Sequence, residues 1–546
     1  MKDGPLPKFA DPEAGFERGF DINHHGIGLP GSTWAEGNMF DGRHFVPNCN
    51  MEDAVFTDQV WAMGRHDSLE LGRSPEEAVL TELFFSNPSR RLQAIEQLTL
   101  PPIYSTIPNT GAFSRFEHVW GSALFVKKMA EKNGLGTAET VKLQLRTVVS
   151  DIAHTTGSHL GDWLFQFVGG DEDQHDKELA TYLEATGIND MLQRYGVDPR
   201  EILSPAAVDW VEAPAPDLCV DRVDYGVREI NRWNDVAYWQ NFSADDFVIT
   251  PENMLAMTDQ RRARIFSEAY LLLSEEHWSE PTHKFIEELL LLRTKLFYAE
   301  GLAPNTWVFK SDPRLGLVQL QDIHPRDLMY VTDPAQTQAF ALPNLTGHTL
   351  DAIMRSVSQY HRQYVWPGRR ERIASYMHQF AQPADYARIA SSGEHKPIGS
   401  PDFHTYLDEY PQTLPNGFAI LSPEEAEATK GPQDFDFVQV PFKLRQIDPL
   451  VQTVQGFQRL SELDSSFAHR LAEHKDRTEQ TLVARLTISK PSTYKLLNEA
   501  IENVEAHWEE RLKTSRRMTP DELNGLLEVA ALEIHGSYPF MSFLSY

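Results

Sequence analysis

SDIAHTTGSHLGD, residues 150–162, follows an almost wholly apolar helical pattern and is the most informative part of this sequence. Residues three apart on a helix share a face, so Asp151 should face the same way as His154, and His159 the same way as Asp162. A carboxylate at the end of an apolar helix is costly unless it is paired or bound to a metal. The stretch therefore indicates a functional site at the ends of buried helices.

Similar side chains occur on both sides of this stretch. The helix predicted to begin at Arg115 carries His118, and the later helices carry His175 and the segment DRVDY at 221–225. All of these groups can bind a divalent metal or transfer a proton. The chain has 20 histidines, so a helix cap or a hydrogen-bonded helix junction is the alternative for each residue taken alone.

The wider pattern predicts a mainly α protein with a smaller α+β region and a helical C-terminal region. Amphipathic spacing, beginning with Leu92, Ile95 and Leu98, indicates successive helices, and strand-like alternation with Pro- and Gly-rich loops begins after residue 300. The predicted regions are an N-terminal extension at 1–84, a helical domain at 85–300, a mixed α/β region with long loops at 301–440, and a helical region at 441–546.

Composition narrows the functional classes. The chain has 546 residues, with 50 Lys and Arg against 79 Asp and Glu, and its net charge of −29 argues against broad nucleic-acid or anionic-membrane binding. Only two cysteines are present, Cys49 and Cys219, which favours a reducing compartment over a disulfide scaffold. We find no signal-peptide pattern and no apolar run of membrane-spanning length, so a cytoplasmic protein is expected.

Four segments together resemble the HD-domain superfamily, in particular its dNTP triphosphohydrolase branch. They are RRLQAIEQL at 90–98, SRFEHVWGSALFV at 114–126, SDIAHTTGSHLGD at 150–162 and VDRVDYGVRE at 220–229. The resemblance covers residues 85–300 and implies an HD-domain helical core. It also implies a metal held by His118, Asp151 and Asp221.

This sequence departs from the family at Ser150, where the HD motif has a histidine. A serine hydroxyl is a poor ligand for a transition metal compared with imidazole. Three alternatives follow: a harder ion such as Mg²⁺, a histidine from elsewhere (His24, His25 or His154), or a site without metal in a binding module. Mg, Mn, Fe, Ni and Zn all remain possible identities for the ion.

The resemblance also assigns roles around the metal. His154, His159, Asp162 and His175 match catalytic positions that line the phosphates and move protons, whereas Gln97, Arg115 and Tyr225 match substrate-binding positions. A guanidinium suits phosphate oxygens because of its forked geometry, and a His–Asp pair suits acid–base chemistry. The alternatives are a helix-start salt bridge for Arg115 and plain core packing for Tyr225.

The expected function is hydrolysis of a nucleotide, specifically of a deoxynucleoside triphosphate to a deoxynucleoside and tripolyphosphate. A degenerate HD protein that binds a nucleotide without hydrolysis is the first rival. An iron oxygenase is the second, although such sites need more histidine ligands rather than fewer. The resemblance also implies a homo-oligomer whose ligand is a nucleotide.

Overall fold

The computed structural model describes slightly more than half of the chain, and most of the described residues are helical, with small sheets. The described residues are 49–50, 53–57, 68–70, 76–90, 92, 95, 97–100, 104–107, 113–154, 158–160, 163, 174–203, 209–232, 242–300, 308–310, 317–319, 348–381, 417–438, 445–477 and 481–502 apart from 493, 496 and 500. The prediction of a mainly α protein with a smaller α+β part is confirmed.

Helices make up most of the described chain. In chain order they are α1 (Ala78–Phe85), α2 (Asn87–Arg90), α3 (Arg115–Lys132), α4 (Thr137–Ser150), α5 (Gln174–Ala185), α6 (Ile188–Arg194), α7 (Pro199–Leu203), α8 (Val220–Arg232), α9 (Gln260–Leu273), α10 (Pro281–Glu300), α11 (His348–Tyr360), α12 (Trp366–His378), α13 (Pro423–Thr429), α14 (Leu460–Leu463) and α15 (Ser465–Arg477). A buried π-helical turn, Ser274–Trp278, joins α9 to α10.

The strands form small sheets around the helices. They are β1 (Cys49–Asn50), β2 (Asp53–Thr57), β3 (Ser68–Glu70), β4 (Phe247–Ile249), β5 (Leu255–Met257), β6 (Val308–Lys310), β7 (Leu317–Gln319), β8 (Phe418–Leu421), β9 (Asp434–Val438), β10 (Leu450–Thr453), β11 (Gly456–Arg459) and β12 (Val483–Thr487). Their orders are β1-β2-β3, β11-β10-β5-β4, β8-β12-β9 and β6-β7. Strand β10 pairs parallel to β5, so the chain beyond residue 445 adds to a sheet begun near residue 247.

Helix α3 lies at the centre of the core and packs against α4 and α8. It begins at a capping box, in which the Ser114 hydroxyl accepts from the Glu117 N–H and the Glu117 carboxylate accepts from the Ser114 N–H. Its residues are buried from Arg115 to Val126, because helices surround it on several sides. This packing brings the starts of α3 and α8 to the end of α4.

The structure differs from the sequence prediction in three places. Residues 97–100 are bends rather than helix, because the Gln97 N–H donates to the Phe113 carbonyl and the Arg115 N–H donates to Ile95. Residues 417–436 fall in the stretch 381–436, which its Pro, Gly and Asp content predicts to be a long loop, yet they contain β8, α13 and the start of β9. Strand β9 ends at 437–438, the start of the strand predicted from Phe437. The helical pattern predicted from Ile447 begins instead with the β10–β11 hairpin, whose turn ends at Gly456 with φ of +116°. None of the described helices combines the length and the apolar character needed to cross a membrane.

Candidate functional site

Three helix ends converge at the site. Arg115 and His118 lie on the first turn of α3, Asp151 caps the C-terminus of α4, and Asp221 lies on the first turn of α8. Each of these residues lies at a helix end in the sequence, next to a helix-capping residue or a long apolar run. All four residues belong to helices that pack directly on one another.

His118 stands between two carboxylates. Its Nδ1 lies 2.8 Å from Asp224 Oδ2, and its Nε2 lies 2.9 Å from Asp221 Oδ1 and 3.7 Å from Asp151 Oδ2. Burial alone would lower the pKa of His118, but the bonds to Asp221 and Asp224 raise it to about 10. His118 is therefore a charged donor to both carboxylates at neutral pH. A cation bound between them would replace the proton on Nε2.

Asp224 has a supporting role that sequence reasoning did not assign. It is fully buried and accepts from Arg228 through Nε at 2.7 Å and Nη2 at 3.0 Å. A histidine that ligates a metal commonly donates its other ring N–H to a carboxylate, which fixes the ring. The i, i+4 spacing of Asp224 and Arg228 was the available sequence signal.

The other oxygen of Asp151 faces a pair of histidines. Oδ1 lies 3.3 Å from His154 Nε2, and the His154 ring stacks on His175 with centroids 3.7 Å apart. One ligand atom from each of Asp151, His154 and His175 lies within 4.8 Å of the others, a spacing that suits a metal ion. Burial and the charges of Arg115 and His175 lower the pKa of His154 well below its ordinary value, so its imidazole is neutral at physiological pH.

Arg115 joins Asp151 to the segment around Ser158. Its Nη1 donates to Asp151 Oδ2 at 2.6 Å, its Nη2 donates to Ser158 Oγ at 2.8 Å, and Nη2 lies 3.4 Å from His159 Nε2. Burial alone would raise the pKa of Asp151, but the charge of Arg115, the hydrogen bond with His154 and the charge of His118 lower it well below its ordinary value. Asp151 is therefore ionised and available as a ligand.

Gln97 and Tyr225 contact different parts of this centre. The backbone carbonyl of Gln97 accepts from Ser158 Oγ at 3.4 Å, and its side-chain Oε1 is buried without a hydrogen-bond partner in the described part of the chain. The Tyr225 ring lies 6.2 Å from the His118 ring, and its hydroxyl bonds to Tyr270. Each residue is thus next to a neighbour of the candidate ligands, Gln97 next to Ser158 and Tyr225 next to His118.

The hydroxyl of Ser150 is hydrogen-bonded to the backbone of its own helix. Its hydroxyl donates to the Thr147 carbonyl at 2.8 Å, and it lines a cavity of about 140 Å³ together with His118, Asp221 and Glu212. Glu212 is exposed at this cavity, yet protein surrounds much of its carboxylate, and this desolvation and the charge of Asp221 raise its pKa to about 8. Sequence reasoning missed Glu212, which belongs to none of the quoted motifs.

The structure brings together every candidate residue that it describes. These residues are Gln97, Arg115, His118, Asp151, His154, His159, His175, Asp221 and Tyr225. Asp162, His24 and His25 lie outside the described residues.

The donor set fits a divalent cation. Imidazole nitrogens and carboxylate oxygens are the mixed ligands that Mn, Fe, Ni and Zn accept. His118, Asp151 and Asp221 point nitrogen and oxygen atoms at one another, and the buried Asp224–Arg228 pair holds the His118 ring. In the same arrangement Arg115 can bind an anion and a neutral histidine can accept a proton. This combination is suited to phosphoryl chemistry.

No protein-family model matches the chain. The sequence is 28% identical over 213 residues to the metal-dependent phosphohydrolase cns2 of Cordyceps militaris, a match covering 38% of this chain and 58% of that protein. It is 31% identical over 167 residues to the uncharacterized protein YdhJ of Bacillus subtilis, covering 30% of this chain and 47% of YdhJ. The chain thus spans about half the length of these curated relatives.

Among solved structures, a phosphohydrolase crystal structure from Bacteroides thetaiotaomicron matches 80% of this chain and 100% of its own, with 12% identity and a TM-score of 0.43. The two sequence matches support a relationship to HD-like metal-dependent phosphohydrolases, as the motifs indicate, and they leave the dNTP branch untested.

Proposed function

We propose that this protein is a metal-dependent phosphohydrolase that acts on a nucleotide. The observation that carries the proposal is the position of Asp151. One of its oxygens faces Arg115 and His118, and the other faces the His154–His175 pair. A carboxylate placed in this way can hold a cation next to both a phosphate-binding arginine and a proton-accepting histidine.

His118, Asp151 and Asp221 would hold the cation, as the HD resemblance implies. His154 and His175 lie on the other oxygen of Asp151, so His154 is the described histidine that can make up for Ser150. A bound divalent cation supplies Lewis-acid polarisation of a phosphoryl oxygen and lowers the pKa of water. Asp224 would keep the His118 ring oriented through its bond to Nδ1.

The residues of the chain would divide the remaining work. The Arg115 guanidinium binds phosphate oxygens and offsets their negative charge. His154 is assigned to the cation, so one of His159 and His175 accepts the proton of the attacking water. The other donates a proton to the leaving sugar oxygen, with Asp162 as the expected orienting partner. One P–O bond forms, one breaks, and one water is consumed.

The finer substrate assignment rests on the HD resemblance. On that basis the substrate is a deoxynucleoside triphosphate, and the products are the deoxynucleoside and tripolyphosphate. The unpartnered Oε1 of Gln97 supports a bound sugar or base donor, and Tyr225 lies where it can pack on the sugar. We also infer a homo-oligomer from the same resemblance.

The decisive experiment combines metal content with turnover. Chain purified without chelator and without an affinity tag should carry about one equivalent of Mn, Fe, Ni or Zn by elemental analysis, and should hydrolyse at least one dNTP. Asp151→Ala should lose both the metal and the activity. If Asp151→Ala retains hydrolysis, the proposed mechanism is wrong.

A second candidate is a nucleotide-binding module without turnover. Ser150 favours it, because its hydroxyl is engaged with the Thr147 carbonyl and its side chain supplies no imidazole. Ser150→His should then raise metal occupancy and create hydrolysis, whereas Ser150→Ala should behave as wild type. If the wild-type protein already hydrolyses nucleotides, and Ser150→His raises neither its metal occupancy nor its hydrolysis, the binding-module hypothesis fails.

A further inference from the structure

Arg445 reaches the site from a distant part of the chain. Its guanidinium carbon lies 5.3 Å from the Tyr225 ring centroid and 5.8 Å from that of Trp278. Its charge also interacts with the Asp221 carboxylate. Arg445 therefore lies near Tyr225 and Asp221 of the candidate site, although it follows both by more than 200 positions in sequence.

The backbone of Arg445 is fixed on both sides. Its N–H donates to Ser274 Oγ at 2.9 Å, and its carbonyl lies 3.2 Å from His474 Nε2. His474 is in turn bound to Glu275 through Nδ1 at 2.6 Å. These contacts use the main chain of Arg445, and its guanidinium, which carries several N–H groups, hydrogen-bonds with Tyr225.

Arg146 and Arg222 near the centre are already engaged, since Arg146 donates to Asp209 at 2.6 Å and Arg222 donates to the Asp217 carbonyl at 2.9 Å. Arg115 donates to Asp151 and is the first arginine proposed to bind phosphate. Within the described residues, the Arg445 guanidinium has no carboxylate at ion-pair distance. Arg445 is exposed to solvent, and its guanidinium lies over the rings of Tyr225 and Trp278.

An arginine stacked on aromatic rings uses the face of its guanidinium and leaves N–H groups at the edge available. Those N–H groups match phosphate oxygens in geometry and charge. We propose that Arg445 binds a phosphate group of the substrate at the Asp221 and Tyr225 side of the site, in addition to Arg115. This inference rests on the proposed function, and it means that the chain beyond residue 440 completes the substrate site.

The test measures binding of inorganic tripolyphosphate to the full chain by isothermal titration calorimetry, together with dNTP hydrolysis. Arg445→Gln should weaken tripolyphosphate binding and raise KM by roughly 10- to 100-fold, since a charged hydrogen-bonding group is lost. Arg445→Lys should fall between, because it keeps the charge and loses the planar fork. Arg200→Gln is the matched control, an exposed arginine paired with Asp198 outside the site.

The outcomes separate this inference from the proposed function. If wild type hydrolyses dNTPs and Arg445→Gln binds tripolyphosphate equally well, the role of Arg445 is overturned and the function stands. If Arg200→Gln weakens binding as much as Arg445→Gln does, general electrostatics explains the effect and the role is again overturned. If wild type neither binds tripolyphosphate nor hydrolyses any nucleotide, both proposals fail. If circular dichroism shows that Arg445→Gln does not fold, the KM of Arg445→Lys decides. A raised KM supports the role of Arg445, and an unchanged KM overturns it.

Discussion

The two oxygens of Asp151 have different neighbours. Oδ2 accepts from Arg115 at 2.6 Å, while Oδ1 lies 3.3 Å from His154. Burial alone would favour the neutral acid, but the adjacent cationic groups keep this carboxyl ionised by lowering its pKa. A single residue at the end of α4 thus connects Arg115, the proposed phosphate-binding arginine, with both sets of candidate ligands.

At the same scale, Asp224 gives a direct test of the metal centre. Asp224→Asn keeps the side-chain shape but removes the charge that His118 and Arg228 share. We expect Mn²⁺ affinity, measured by calorimetry, to fall roughly 10- to 100-fold because the His118 ring loses its orienting partner. Asp190→Asn, an exposed carboxylate on α6, serves as the control. Unchanged affinity in folded Asp224→Asn would show that His118 is not a ligand.

At the scale of elements, the π-helical turn between α9 and α10 combines burial with charge. Its residues Ser274 to His277 are buried, although three of them are titratable. The carboxylate of Glu275 accepts two hydrogen bonds from Arg470, at 2.8 and 2.7 Å, and lies 2.6 Å from His474. The wider turn changes which side chains face α15, and π-turns of this kind are frequent at functional sites. Here it presents Ser274 and Trp278 to Arg445.

The pairing in this turn predicts its contribution to stability. Glu275→Gln leaves Arg470 buried without a charged partner at that position, and we expect the free energy of unfolding to drop by about 3–5 kcal/mol in urea titrations. The matched control is Glu201→Gln, in the exposed pair with Lys142 at 2.7 Å, where the loss should stay below about 1 kcal/mol. Equal effects in the two variants would contradict the structural role given to this turn.

At the scale of the whole molecule, the net charge is strongly negative, whereas several carboxylates in the interior are paired with cations. The chain carries −29, yet its interior contains carboxylates matched by cations. Glu280 lies 3.4 Å from Arg369, and Glu287 lies 2.6 Å from Lys284. Burial alone would raise the pKa of both glutamates, but the neighbouring charges, with His361 foremost for Glu280, lower each to about 2.

These shifts determine how stability depends on pH. A carboxyl with a lowered pKa stabilises the folded state fully above about 4.5, and this stabilisation is lost as pH falls toward about 2. Each glutamate should contribute roughly 3 kcal/mol. His118 acts in the opposite direction, and its stabilisation is lost as pH rises from 6.5 to its pKa of about 10.

The melting temperature of the full chain, measured after removal of bound metal, should therefore fall on both sides of neutrality. In the double variant Glu280→Gln and Glu287→Gln, the overall melting temperature should be lower and its acid dependence flatter. A wild-type melting temperature that stays constant between about pH 5 and about pH 3 would contradict this assignment.

Sequence spacing was enough to predict the parts of the site that lie on single helices. Asp151 and His154 share a face because they are three residues apart, and Arg115 and His118 share the first turn of α3 for the same reason. The mainly α class followed from the same periodicity. By contrast, the spacing of Leu92, Ile95 and Leu98 predicted a helix wrongly, because that segment hydrogen-bonds to the residues before α3 instead.

Only the tertiary structure showed which helix faces meet. Local spacing reports the direction of a side chain on its own helix, but contact between helices depends on packing over long sequence separations. Arg445 and Tyr225 meet because β10 joins β5 and α15 packs its ion pairs on the π-helical turn. No periodicity marks Arg445, so the sequence determined the helices and their polar faces, whereas long-range packing decided that the far C-terminal chain reaches the site.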